Sequence, residues 1–388
     1  MTLRASKPSF NVREKLTELG RRFGLKGSEL AAAETVQEAR DLVSAGRKNL
    51  IMNGKFEISQ RGTTFTYSGT AQDHLVYSAD RFRVQTFGSS FPSGNYLQIT
   101  KDTDVPNSEF KNSQKIEVLQ DISWGSGPNG VWTKQSIEGN NVSHLGFGGS
   151  NPSTITLSFW VKATKSGTFT ATIKDSTSSV YYMCPVNIAS ANTWQYVTKT
   201  IPGATIGTWN TDNGEGLQVV LTWGINPGWI AGTTTNQWAS GNISGTTTQT
   251  NFLTTDGDIV WMTGLQLELG KNATDFEHRS YGEELALCQR YYFKLTNSRL
   301  VAGYKRHDTS SNFEILAPVP MRAAPIPTLL VGGSFTNMQT NFNTTQSSPN
   351  VYQWDGHAFM FQVASTWSST HTFIPSWEGF TVEFSAEI

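Results

Sequence analysis

Between residues 49 and 277 the apolar positions recur at every second residue. The clearest run, TITLSFWVKA, sets Ile155, Leu157, Phe159 and Val161 on one face against Thr156, Ser158, Trp160 and Lys162 on the other, the pattern of a strand with one buried face. The same rhythm predicts strands in YSADRFRVQTF, NYLQITK, QKIEVLQDI, GTFTATIKD, VYYMCPV, WQYVTKTI, GLQVVLTWGI and DIVWMTGLQLELG. Gly, Asn, Pro, Ser and Asp separate these runs at intervals that suit an antiparallel sandwich. VKATKSGTFTATIKD predicts a hairpin about Lys165-Ser166-Gly167. NLIMNGKFEISQRG alternates Leu50, Met52, Phe56 and Ile58 around Asn53-Gly54, a dipeptide that accepts positive φ, and predicts strand, tight turn, strand. The Thr/Gly/Asn-rich segment from Ala231 to Asn251 predicts a long loop on the rim.

The pattern changes at both ends of this region. Before it, NVREKLTELGRRFG places Val12, Leu16 and Leu19 on one helical stripe, and a second segment places Val36, Leu42 and Val43 at helical spacing behind a capping-box pattern, Thr35-x-x-Glu38. Such short helices with a narrow stripe are marginal alone, so the stripe is expected to meet partner chains or another protein, or else to lie on the chain's own body. After it, EHRSYGEELALCQRYY reads as a short helical connector with Leu285, Leu287 and Tyr291 or Tyr292 as its stripe. FKLTNSRLVAGYKRH, NFEILAPVPMRAAP, PTLLVGGSFTN, NVYQWDGHAFMFQVAS and GFTVEFSAEI then predict a smaller β domain that ends in a strand. The division expected is a helical leader over 1–48, a sandwich over 49–277, a connector over 278–292 and a second β domain over 293–388. The fold class is mainly β.

Composition sharpens this picture. Charged residues make up 16% of the 388 and aromatic residues 12%, with 12 Trp and 35 Gly, so the surface is polar and hydroxyl-rich rather than charged. Residues 1–48 hold ten basic and six acidic side chains, which leaves 20 basic and 25 acidic for the body against totals of 30 and 31. That acidic balance argues against a nucleic-acid partner. No run approaches the length of a membrane span, and Met1 to Ser9 has no apolar core of a secretory signal, so no membrane insertion is expected. Cys184 and Cys288 each sit in an apolar run and read as two buried free thiols, with a disulfide as the alternative.

Catalytic patterns are missing from the sequence. His74, His144, His278, His307, His357 and His371 show no metal-binding spacing, and there is no phosphate loop or nucleophile elbow. Asp256-Gly257-Asp258 reads as a turn before a strand, with a Ca²⁺ loop as the alternative. No enzyme activity, cofactor or metal is expected. The tryptophans carry more. Trp194, Trp223 and Trp261 lie in strand-like runs and read as core. Trp124, Trp132, Trp209, Trp229 and Trp238 sit beside Gly, Asn and Ser in loop-like contexts. A flat ring flanked by amides and hydroxyls suits the apolar face of a sugar; lids over the sandwich are the alternative.

Particular stretches also carry a resemblance. The opening N-L-I-x-N-G-x-F-E, then A-D-R-F, LSFWVKA and GLQLELG, resembles the jelly-roll carbohydrate-binding modules attached to glycoside hydrolases. Asn49–Gly62 and Ala273–Tyr292 (ATDFEHRSYGEELALCQRYY) are more closely similar to bacteriophage virion proteins, notably those of phages infecting marine bacteria and cyanobacteria. The leader is similar to N-terminal segments of fibre and appendage proteins of the same phages. The resemblance implies a jelly-roll body on a virion surface protein made in the host cytoplasm. It implies anchoring to phage structural proteins through the leader, a homotrimer, and a host surface glycan as ligand. A structural decoration protein and a glycan-depolymerising tailspike are the alternatives. Those binding modules often hold Ca²⁺ with the Glu of the opening strand and an Asp near the last; Glu57 matches, while Asp258 is the nearest acidic candidate for the second.

Overall fold

Fifteen strands precede residue 270: β1 Thr64–Ser68, β2 Leu75–Ala79, β3 Phe82–Phe87, β4 Asn95–Asp102, β5 Ser113–Val118, β6 Gly130–Glu138, β7 Ile155–Ala163, β8 Gly167–Asp175, β9 Val180–Ile188, β10 Gln195–Ile201, β11 Glu215–Ile225, β12 Ala231–Gly232, β13 Trp238–Ser240, β14 Gly245–Thr246 and β15 Ile259–Leu269. They come from a computed structural model that describes residues 48–388 except 70–73, 89–90, 125–128, 227–230, 299–300, 308–309, 332–333, 338–339, 343–349, 355–357, 365–374 and 379. The leader helices, with Val12, Leu16, Leu19, Val36, Leu42 and Val43, lie outside the described residues, as does Trp229.

The strands build two antiparallel sheets, one of six in the order β1-β4-β5-β15-β7-β10 and one of seven in the order β13-β9-β8-β11-β6-β3-β2. The chain crosses between them repeatedly, giving a jelly-roll-like sandwich. Inward residues alternate along every long strand. Ile155, Leu157, Phe159 and Val161 of β7 face Phe169, Ala171 and Ile173 of β8 and Leu217, Val219 and Leu221 of β11, and all are buried. Trp223 is fully buried against Phe169, with centroids 4.8 Å apart, and its indole N–H donates to Thr133 Oγ1 at 3.0 Å. A buried indole needs such a partner.

Three expectations are corrected here. β7 and β8 are not a hairpin: β7 pairs with β10 and β15, while β8 pairs with β9 and β11. The turn at Lys165–Gly167 is an arch from one sheet to the other, which a short turn permits as readily as a hairpin. NLIMNGKFEISQRG forms no strands. It is an irregular buried segment with the expected turn at its centre, Asn53 at φ 58° and Phe56 N–H bonded to the Asn53 carbonyl at 2.8 Å. A Cβ at Gly54 would fall on the Leu265 carbonyl oxygen, so the close approach to β15 requires glycine there. The segment from Ala231 to Asn251 is more than a rim loop. It contributes β12, β13 and β14, and Thr172 Oγ1 and Thr222 Oγ1 both donate to the Ser244 carbonyl, so it lies across the outward face of β8 and β11.

Beyond the sandwich, α1 (Gly139–Val142) and α2 (Tyr281–Gln289) are the two short α-helices among the described residues. Ser280 caps α2 by accepting from Glu283 N–H at 3.3 Å. The buried positions of α2 are Glu284 and Cys288, while Leu285 and Leu287 are half-buried, so the stripe is rotated from the one expected. The cause is polar: Glu284 accepts from Asn53 N–H at 2.6 Å and pairs with Arg279 at 3.4 Å.

The two most distinctive stretches of the sequence therefore meet. Asn49 N–H donates to Glu277 Oε2 at 2.6 Å, Arg279 Nη1 to the Ile51 carbonyl at 3.1 Å, and Gln60 Nε2 to the Tyr292 carbonyl at 2.9 Å. The C-terminal residues join the same node, where Arg81 pairs with Glu387 and lies 3.5 Å over the Tyr291 ring.

The remaining strands are β16 Tyr292–Ser298, β17 Val301–His307, β18 Ser310–Leu316, β19 Ile326–Val331, β20 Ser334–Asn337, β21 Thr340–Phe342, β22 Asn350–Trp354, β23 Ala358–Ala364, β24 Pro375–Glu378 and β25 Phe380–Ser385. They form a three-stranded sheet, β16-β25-β19, and a seven-stranded one, β21-β20-β24-β17-β18-β23-β22.

Candidate functional site

The outward face of the first seven-stranded sheet is assembled by register. Arg83 of β3 stands opposite Lys134 of β6, which stands opposite Val220 of β11 and then Thr172 of β8. The next row runs Gln85, Trp132, Thr222, Thr170, and the row on the other side runs Ser136, Gln218, Lys174. Cross-strand neighbours on one face lie within side-chain reach, so residues far apart in sequence line one surface. Asn242 and Ser244, on the segment that lies across β8 and β11, wall its side. The result is a cleft of about 180 Å³, with room for one ring-sized group, below the roughly 300–1,000 Å³ of pockets that enclose drug-sized ligands.

Trp132 is the aromatic platform of this cleft. It lies in strand β6 and not in a loop, half-buried, with its ring against Gly130 and 6.3 Å from Phe87. Its indole N–H has no acceptor among the described residues. The other described candidates are engaged internally. Trp124 packs on the sandwich core and donates weakly to Thr254 Oγ1 at 3.4 Å, while a Cβ on Gly224 would strike its ring. Trp209 and Trp238 come together edge-on at 5.6 Å and enclose Phe147, at 4.9 and 5.9 Å. Their N–H groups donate to the Ile206 and Pro202 carbonyls at 2.9 and 2.8 Å. This second cluster borders only a shallow depression beside Leu145 and Leu217.

The electrostatics of the cleft are cationic. Lys174 is almost fully buried and donates to Asn242 Oδ1 and Ser244 Oγ, both at 2.8 Å. Burial pushes its pKa down to about 7, helped by Lys134, while Asp175 and Glu215 oppose the shift. Burial likewise lowers Lys134 to about 8; Glu215, at 3.1 Å, and its hydrogen bond oppose this, and Arg83 adds to it. Glu215 also accepts from Ser136 and Gln218. Asp175 is turned away and capped by Ser179 and Val180 N–H at 2.7 and 3.0 Å. Arg83 has no hydrogen-bond or ion-pair partner among the described residues, and its Nε is buried without an acceptor.

Elsewhere, Trp261 is buried as expected, on the outward face of its sheet, while Trp194 departs from the core position expected. On the outward face of the six-stranded sheet Lys162 Nζ lies 4.2 Å from the Trp261 centroid and 5.3 Å from that of Trp194, which is half-exposed and donates to Asp104 at 2.9 Å. Glu57 pairs with Lys55 at 3.0 Å and Asp258 with Lys165 at 2.6 Å. Asp258 also accepts from Thr254 and Thr255 N–H at 2.9 and 2.7 Å, which makes Asp256–Asp258 the turn expected before β15. Cys184 and Cys288 are buried and free.

Arg83, Lys134 and Lys174 were not singled out from the sequence. The signal was present in the alternation of FRVQTF, VWTKQSIE and TATIKD, which puts each on the polar face of its strand, but only the pairing register brings those faces together.

No protein-family model matches this sequence, and no curated protein matches it. Among solved structures, the chain is similar to the enzymatically active domain of tailspike protein 4 of bacteriophage CBA120, at 15% identity over 57% of this chain and a TM-score of 0.29. The chain spans 21% of that structure's length. It is similar to a xylan-binding domain of Paenibacillus barcinonensis (10% identity, 59% of this chain and 100% of that one, TM-score 0.25). It is similar also to a family 11 carbohydrate-binding module from a cellulase of Clostridium thermocellum (12% identity, 58% and 97%, TM-score 0.25). At these identities and scores the likeness assigns no ligand to this chain.

Proposed function

We propose that this chain is a non-enzymatic virion surface protein of the phage fibre type, whose sandwich binds a glycan on the host surface through the cleft at Trp132. One observation carries the binding reading: Trp132 stands half-open on a sheet face with its N–H unbonded among the described residues, in a cleft lined also by Gln85, Gln218 and Asn242, whereas Trp124, Trp209 and Trp238 spend theirs on internal acceptors. An aromatic face flanked by amides matches a sugar ring, which offers C–H groups on one side and hydroxyls at its edge. Glu215 is neutralised by Lys134, Ser136 and Gln218, which suits holding a ligand rather than hydrolysing one with a carboxylate pair. The virion placement rests on the resemblance of residues 49–62 and 273–292 to phage appendage proteins, with residues 1–48 as the anchor. Trimer avidity would raise a weak single-site affinity.

The test is retention of the full-length protein on host cells or on an immobilised glycan panel, with Trp132→Ala beside Trp238→Ala. Loss in the first and retention in the second supports the reading. Equal retention by both moves the site away from Trp132. A structural decoration role is the second reading, favoured by the use of both motif stretches as an internal joint. Intact particles that fall apart without the protein, together with no retention on host cells, would select it.

A further inference from the structure

We propose that the cleft at Trp132 selects an acidic saccharide, one that carries a carboxylate on its ring, over neutral sugars. This inference rests on the glycan-binding reading and names the ligand class of the same site. Three cations from three strands, Arg83, Lys134 and Lys174, line a cleft of about 180 Å³. The carboxylate beside them, Glu215, is tied to Lys134 at 3.1 Å and to Ser136 and Gln218, which leaves Arg83 and Lys174 without a direct ion-pair partner among the described residues; Asp175 and Glu215 act on Lys174 only at longer range. An arginine on a sheet face ordinarily acquires a carboxylate partner or points to solvent. Here its Nε is buried without an acceptor, and no carboxylate among the described residues pairs with the guanidinium.

The chemistry matches in detail. A guanidinium presents a planar fork of parallel N–H donors that fits a carboxylate bidentately. Lys174 uses two donors on Asn242 and Ser244 and has a third to offer. Burial, with the neighbouring cation adding to it in each case, holds Lys134 and Lys174 below the usual lysine range, and an anion between them would offset both effects. Trp132 supplies the platform for the ring that bears the anion. A neutral sugar would use the platform and leave the cations as they are.

Two linked consequences follow. Binding of an acidic sugar takes up protons between pH 7 and 9, because the anion raises pKa values that stand near 7 and 8 in the free protein. Affinity for it therefore falls as pH rises through that window, while affinity for a neutral sugar stays flat. The groups that set this are Lys134, Asp175 and Glu215 around Lys174, and Glu215 and Arg83 around Lys134.

The experiment is affinity electrophoresis and calorimetry of the full chain with polygalacturonate, its fully methyl-esterified form and a sulfated galactan, at pH 6.5 and 9. The expected result is at least about tenfold tighter binding of the free carboxylate polymer than of its ester, equivalent to one charge-assisted hydrogen-bond pair. That preference disappears in Arg83→Gln and weakens in Arg83→Lys, which keeps the charge and loses the fork. Both variants must keep the parent's melting curve. Equal affinity for the acid and its ester overturns the inference and leaves the glycan reading standing. Retention of the sulfated polymer alone assigns the cleft to sulfate esters and overturns the carboxylate assignment. Failure of the folded protein to bind any of the three polymers overturns the inference and counts against the glycan reading as well.

Discussion

Glu387 is expected to matter to the seven-stranded sandwich sheet far more than a carboxylate outside the sandwich usually does. Its carboxylate pairs with Arg81, which is 2% exposed, and with Arg61 at 3.3 Å. Arg81 lies over Tyr291 at 3.5 Å and donates to the Ser136 carbonyl at 2.6 Å, while Arg61 lies 3.5 Å over Tyr292. Burial opposes the charged form of Arg81, and Glu387 is the main group that restores it. Glu387→Gln keeps the shape and removes the charge, leaving a buried guanidinium uncompensated. Breaking a buried pair from one side costs roughly 3–5 kcal/mol, and the amide oxygen still accepts a bond, so the lower end applies. At roughly 2–4 °C per kcal/mol for a unit of this size, the sandwich should melt about 6–12 °C lower. Differential scanning fluorimetry, following the summed emission of the 12 tryptophans, reads this. The double variant Arg81→Met, Glu387→Gln removes the orphaned charge and should recover at least half of the loss. A single variant that melts within 2 °C of the parent would refute the reasoning. So would a double variant whose loss equals the sum of the two singles.

Two further predictions use other parts of the molecule. Gly54→Ala drives a methyl group into the Leu265 carbonyl and should cost roughly 3 kcal/mol in thermal unfolding, whereas Gly282→Ala in α2 meets open space and should gain about 0.4–1 kcal/mol; the opposite ranking would undo the close-packing account of the opening turn. Burial pushes the Cys184 thiol up to about 12 and raises Cys288 as well, so at pH 8 the native protein should consume no aromatic disulfide reagent within minutes and should release two equivalents once unfolded in guanidinium.

The sequence by itself determined the β class, nine of the sandwich strands and the inward face of β7, because a strand's two faces follow from a period of two and need no partner to be legible. It determined the positive φ at Asn53 for the same local reason, since Asn-Gly tolerates that backbone wherever it occurs. It did not determine which strands pair. VKATKSGTFTATIKD satisfies a hairpin and a sheet-crossing arch equally, and only the competition of β9, β10, β11 and β15 for the two edges decides between them. NLIMNGKFEISQRG has the alternation of a strand, yet its donors and acceptors are taken by Glu277, Arg279 and Glu284, residues more than 200 positions away, and it becomes part of a joint. The cleft belongs to the same category. Arg83, Trp132 and Lys174 are unremarkable in their own strands, and become a site because the register of β3, β6, β11 and β8 stacks their outward faces side by side. Local periodicity says which way a side chain points; which side chains share that face is settled by long-range pairing, and the pairing is a property of the whole sheet.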